Sequence, residues 1–259
     1  MPLSSPDIED LRTAKRLLEI PGLAARISNY AGAPIEKGFA LLPKKWNAAV
    51  NAATRKSIET ALDVALWSLD HKRAAPPSNR WHKLAAGTTG AAGGVFGLSA
   101  LALELPVSTT IMLRSIADIA RSQGENLQLP EARLECVQVL ALGAGTSSGD
   151  ASETGYFAVR AAMAKAVSDA VQHLASKGLS QQGAPALVRL IALIASRFSI
   201  VVSEKAAAQA VPVLGALGGA VINTLFIDHF QDMGKGHFTV RRLERAHGRD
   251  AVKRIYETL

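Results

Sequence analysis

Four side chains near the C-terminus have the types a metal site needs: Asp228, His229, Asp232 and His237. His229 and Asp232 share a helix face, but His229 and His237 lie more than two turns apart, roughly 12 Å at 1.5 Å rise per residue. One tetrahedral zinc holds its ligands about 2 Å away and cannot bridge that gap. The reading is therefore that both histidines hydrogen-bond near the end of a helical bundle, with Phe230 and Phe238 packing beside them. No metal and no cofactor is expected.

A second candidate is Gly145-Thr146-Ser147-Ser148-Gly149, which matches the G-x-S-x-G string of a serine-hydrolase elbow. That turn needs a strand before it and a helix after it. Residues 131 to 142, opened by Pro130, read as a helix instead, so the string is taken as a small-residue loop and no catalytic residue is assigned. A hydrolase acting on a lipid or peptide remains the alternative function.

The third candidate is charge. The chain carries 29 Lys and Arg against 22 Asp and Glu, a formal +7, which suits an anionic partner or simple solubility. Arg241, Arg242 and Arg245, with Arg249 past a break at Gly248, make the C-terminus basic. Beside an apolar helix such a cluster suits an anionic membrane surface, so these four are the expected lipid-binding residues. The competing reading is a solvated face with internal pairs to Glu244 or Asp250. Nucleic acid is not expected, because no aromatic platform or binding motif accompanies the charge.

The elements that must position these groups read as helices throughout. Apolar residues make up 48% of the 259 but aromatics only 5%, so the apolar mass is Ala, Leu, Val and Ile, which favours helix over strand. Pro6-Asp7 opens a helix capped by Ser4 or Ser5 and stopped at Pro21-Gly22. Short pieces broken by Gly32, Pro34 and Gly38 follow. A long amphipathic helix runs from Pro43 to about His71, with Trp46, Val50, Ala53, Ser57, Ala61, Ala65 and Leu69 in one stripe. Pro76-Pro77 marks a linker over residues 73–79 and a subdomain boundary. Pro106 starts a helix ending at Gly124, Pro130 another through Leu142, Ser152 another to Ser176, and Pro185 another. Cys136, the single cysteine, is expected to be a buried and inert thiol.

Two uncharged stretches stand out. One, from Leu84 to Leu103, carries Gly87, Gly90, Gly94 and Gly97 on one helical face. The other, from Ala206 to Ile227, carries Gly215 and Gly219. Glycine costs a helix up to about 1 kcal/mol against alanine, so both stretches are read as central helices that approach each other closely. Each is near the length of a membrane span but rich in small residues. Arg189 and Arg197 interrupt an apolar run and need partners, as an unpaired buried charge is costly. Arg114, Asp118, Arg197 and Glu204 form the candidate buried polar network. The first 19 residues have no apolar h-region, so no signal peptide is expected and the protein is placed in the cytoplasm.

Three segments carry a family resemblance. They are Leu105 to Arg121 (LPVSTTIMLRSIADIAR), Ser196-Arg197-Phe198 with Ser203 to Gln209 (SEKAAAQ), and Gly236 to Arg245 (GHFTVRRLER). Together they resemble the EcsC family of bacterial proteins from about residue 40 onward, leaving residues 1–40 as a helical extension and 41–259 as the family domain. The resemblance implies association with an ABC-transporter operon and supplies no catalytic residues. The expectation is an all-α multi-helix bundle with two central Gly-rich apolar helices. Its expected role is that of a non-enzymatic accessory protein, peripheral at the inner membrane. There it would bind anionic phospholipid or an apolar acyl ligand and support a transporter or another membrane process.

Overall fold

The computed structural model describes residues 3–19, 21–32, 35–42, 44–68, 98–144, 155–177, 184–211 and 219–259. Among the described residues there are ten α-helices and no strand. Helix α1 (Ser5–Leu18) starts at a capping box: Ser4 Oγ accepts from Asp7 N–H while the Asp7 carboxylate takes the Ser4 N–H at 3.1 Å. Helix α2 (Leu23–Ala31) stops at Gly32, whose φ of 64° is the left-handed cap glycine tolerates. No side chain of its own caps its start. The Glu204 carboxylate, 180 positions away, accepts from the Ala24 N–H at 3.1 Å instead.

Helix α3 (Glu36–Leu41) is short, and Gly38 sits inside it rather than breaking it. The glycine is needed because a Cβ there would lie 1.9 Å from the Ala207 carbonyl oxygen. Helix α4 (Trp46–Ser68) buries the stripe its periodicity announces, from Val50 through Ala65, against α5 (Leu98–Ser122) and α8 (Pro185–Ala210). Pro106 does not start α5 but lies within it. A proline there removes one backbone hydrogen bond and costs about 3 kcal/mol. Leu105, Met112, Leu113 and Ile116, all fully buried, supply the packing that offsets this cost.

Helix α6 (Pro130–Leu142) buries every residue from Ala132 to Leu142 and stands at the centre, touching α4, α5, α7 (Tyr156–Lys177), α8 and α9 (Gly219–His247). Phe198 of α8 meets Phe226 and Phe230 of α9 with ring centroids 5.4 to 6.0 Å apart. Gly248, at φ 88°, turns the chain into α10 (Arg249–Thr258). Helix α1 packs on α9 and α10, so the N-terminal segment is built into the bundle.

The stretch from Ala206 to Ile227 is not a single helix. Helix α8 ends at Ala210 and α9 begins at Gly219, which is buried. Gly87, Gly90, Gly94, Gly97, Gly215, the 73–79 boundary and the Gly145–Gly149 string lie outside the described residues.

Candidate functional site

A cleft of ≈ 480 Å³ opens between α6, α7, α9 and α10. Helix α6 contributes Glu131, Glu135 and Gln138 at steps of four and three, and α7 faces them with Phe157, Arg160 and Ser168. Glu244 of α9 and Arg249, Asp250 and Lys253 of α10 close it. Arg160 grips the Glu244 carboxylate with two hydrogen bonds, 2.7 and 2.9 Å, and its guanidinium lies over the rings of Tyr156 and Phe157.

Behind the cleft runs a buried polar chain. Tyr156 Oη is 2.9 Å from His237 Nδ1, His237 Nε2 is 3.0 Å from Glu135 Oε2, and Glu135 Oε1 is 2.9 Å from the Arg241 guanidinium. Burial alone would raise the Glu135 carboxyl, but His237 and Arg241 outweigh it and hold it at about 2. Glu135 is therefore an ionised acceptor, which places the imidazole proton on Nε2 and makes Nδ1 the acceptor for the Tyr156 hydroxyl. Burial pushes His237 down and Tyr156 up, so both stay neutral. Tyr156 is buried, its hydroxyl turns inward to His237, and burial keeps its proton in place. The chain joins α6, α7 and α9 through buried polar contacts.

Arg241 is buried, while Arg242 and Arg245 are part-exposed but paired with carboxylates elsewhere in the chain. Arg241 bonds Glu125 at 2.8 Å and Glu135 at 2.9 Å, with Glu131 at 3.6 Å. Arg242 reaches Asp10 at 2.5 Å and Gln123 at 3.0 Å, and Arg245 pairs with Glu125 and donates to the Gln123 carbonyl at 2.6 Å. These three clamp α9 to α1, to the start of α6 and to the segment after α5, with Arg242 and Arg245 keeping part of their side chains exposed. Arg249 is exposed at the cleft. The internal partners are Glu125, Glu131, Glu135 and Asp10, while Glu244 turns to Arg160.

The network expected of Arg114, Asp118, Arg197 and Glu204 is not assembled. Arg114 is exposed, Asp118 pairs with Arg121 at 2.8 Å, Arg197 donates to the Ala141 carbonyl at 2.8 Å, and Glu204 caps α2. The fully buried charge is instead the neighbour of Glu204. Lys205 Nζ binds Glu104 Oε1 at 2.6 Å and Asn223 Oδ1 at 2.8 Å, and lies 4.6 Å from the centre of the Phe226 ring. His229 donates from Nε2 to the Gly143 carbonyl at 2.7 Å, and burial lowers its pKa to about 4. Cys136 is buried and its thiol is pushed up, an inert environment.

On the outside, α8 is unusual. By length and composition its 26 residues could cross a membrane, yet only a third of its most apolar window is buried in the bundle. Val188, Leu193 and Ile200, each between 37% and 44% exposed, stand on one bare face with Arg189, Ala192 and Ser196. Sequence reasoning did not single out this face. The signal was present as an apolar run wider than one core stripe needs, interrupted by Arg189.

Residues 7–243 match the family model described as the EcsC protein family. The match takes in residues 7–40, which the sequence resemblance left out. No curated protein and no solved structure matches the chain.

Proposed function

The chain belongs to the EcsC protein family, and on that premise we propose that it is a non-enzymatic accessory protein of membranes, held peripherally at an anionic bilayer from the cytoplasmic side. The observation that carries this reading is the bare outer face of α8. Val188, Leu193 and Ile200 keep only 37–44% of their surface in water, so moving that remainder into acyl chains recovers about 1 kcal/mol each. Arg189 on the same face suits a helix lying in the interface, because its stem can follow the apolar surface while the guanidinium reaches phosphate.

A full crossing by α8 is disfavoured by what its last turns hold. Glu204 caps α2 and Lys205 is buried against Glu104, so drawing this end into lipid would break both contacts. The helix is pinned by one face and offers the other. Tyr156 and His237 are buried and do not line the cleft, which supports a binding role over catalysis there. The test is flotation with phosphatidylglycerol and with phosphatidylcholine vesicles, followed by carbonate extraction. The expected result is binding that favours the anionic vesicles, release by carbonate, and loss of binding on Leu193→Ser/Ile200→Ser. A chain that stays unbound with both vesicles overturns the reading.

A further inference from the structure

We propose that α3 and the turn into α4 form the cationic, bilayer-entering edge of this protein, binding anionic phospholipid headgroups; this deepens the membrane reading above and rests on it. The first observation is placement. Positions 189, 193, 196, 200, 203 and 207 of α8 step by four and three and so share one helix face. That face is bare at Leu193, Ser196 and Ile200, and α3 covers it at Ala207, where Gly38 lies against the backbone. The bare stripe of α8 therefore runs straight into α3.

The second observation is what α3 and its flanks present. Leu41 is 56% and Tyr30 62% exposed, Phe39 is also exposed, and its ring stands 5.8 Å from that of Trp46. Aromatic rings with a wet edge concentrate at the level of lipid headgroups. Around them Lys37, Lys44 and Lys45 are all exposed, and none has a carboxylate at ion-pair distance among the described side chains. Arg26 nearby differs, being taken up by Asp232 at 3.1 Å.

The third is the choice of cation. Lysine is depleted at protein–protein interfaces, whereas lysine beside aromatic and aliphatic side chains suits a phosphate-bearing surface that the flexible stem can follow. Arg241, Arg242 and Arg245 are each engaged by a carboxylate, whereas, among the described side chains, the three lysines of this edge are not.

The experiment is flotation of the full chain with vesicles of equal parts phosphatidylglycerol and phosphatidylcholine, and with phosphatidylcholine alone. Three basic side chains removed in Lys37→Gln/Lys44→Gln/Lys45→Gln should weaken binding to the mixed vesicles by about a hundredfold. Phe39→Ser/Leu41→Ser should weaken binding to both. These side chains are exposed, and unchanged helical circular dichroism establishes that each variant is folded. Binding of the lysine variant equal to wild type, with Leu193→Ser/Ile200→Ser still defective, overturns this edge and leaves the function standing. A wild-type chain that binds no vesicle overturns both. A salt-sensitive dimer that the lysine variant dissolves, without vesicle binding, makes a second copy the occupant and overturns the lipid assignment.

Discussion

Lys205 Nζ sits 2.6 Å from Glu104 Oε1, two charges 101 positions apart in the chain and both buried. Asn223 and the face of Phe226 complete the shell around the ammonium. The pair joins α5 to α8 and, through Asn223, to α9. Desolvation pushes the Lys205 pKa down and Glu104 opposes it, so the two groups are retained as a unit.

Removing one member of that unit should therefore cost more than removing both. Lys205→Met strands the Glu104 carboxylate and should destabilise by about 3–5 kcal/mol. Lys205→Met/Glu104→Leu should recover part of this loss. Urea unfolding of the two single variants and the double variant gives the coupling, and additive losses would show that the pair is not a unit.

Acid should act through His229 and, from the same ordinary value downward, through the buried His237, whose pKa burial also lowers. The Nε2 of His229 donates to Gly143, while its Nδ1 is buried with no hydrogen-bond partner, so a second proton would bury an unsatisfied charged donor. The folded pKa of about 4 lies below the ordinary 6.5, so the unfolded chain binds more protons between these values. Stability is then fully present above about pH 6.5 and falls by on the order of 3 kcal/mol as pH drops to 4. His229→Gln, which keeps the amide donor, should make urea midpoints fall less steeply across that window, with His237 supplying the slope that remains. Glu135, held at about 2, adds its own loss only below pH 4.5.

Gly38→Ala is the smallest change that tests the seating of α3 on α8. The new Cβ would meet the Ala207 carbonyl oxygen at 1.9 Å, and backbone cannot swing aside as a side chain does. A loss of about 1–3 kcal/mol by thermal unfolding is expected. Unchanged unfolding would place α3 elsewhere.

Arg241 and Arg249 should part company. Arg241→Ala leaves the buried Glu135 without its cation and Glu125 with Arg245 alone, and should cost about 3–5 kcal/mol in urea unfolding. Arg249 is exposed, and Arg249→Ala should stay within about 0.5 kcal/mol. Equal and small effects would return Arg241 to the surface role its sequence position suggests.

What is encoded locally could be read from the chain alone. The Ser4 cap, the Pro130 start of α6, the buried stripe of α4 and the break at Gly248 each depend on a few neighbouring residues, whose φ preferences, hydrogen bonds and 3.6-residue period are properties of a short segment. The all-α class follows from the same local propensities. Only the packed molecule decides which carboxylate an arginine meets, because Glu125 and Arg241 are 116 positions apart and nothing in either neighbourhood names the other. The same holds for Lys205, whose partner lies on α5. Gly38 and Pro106 show the reverse side of this. Each is a breaker by propensity, yet each sits inside a helix, because contact with another helix outweighs a local preference worth about 1–3 kcal/mol. The face that α8 leaves bare is likewise a tertiary outcome, since every face of an apolar helix looks alike until its neighbours have taken theirs.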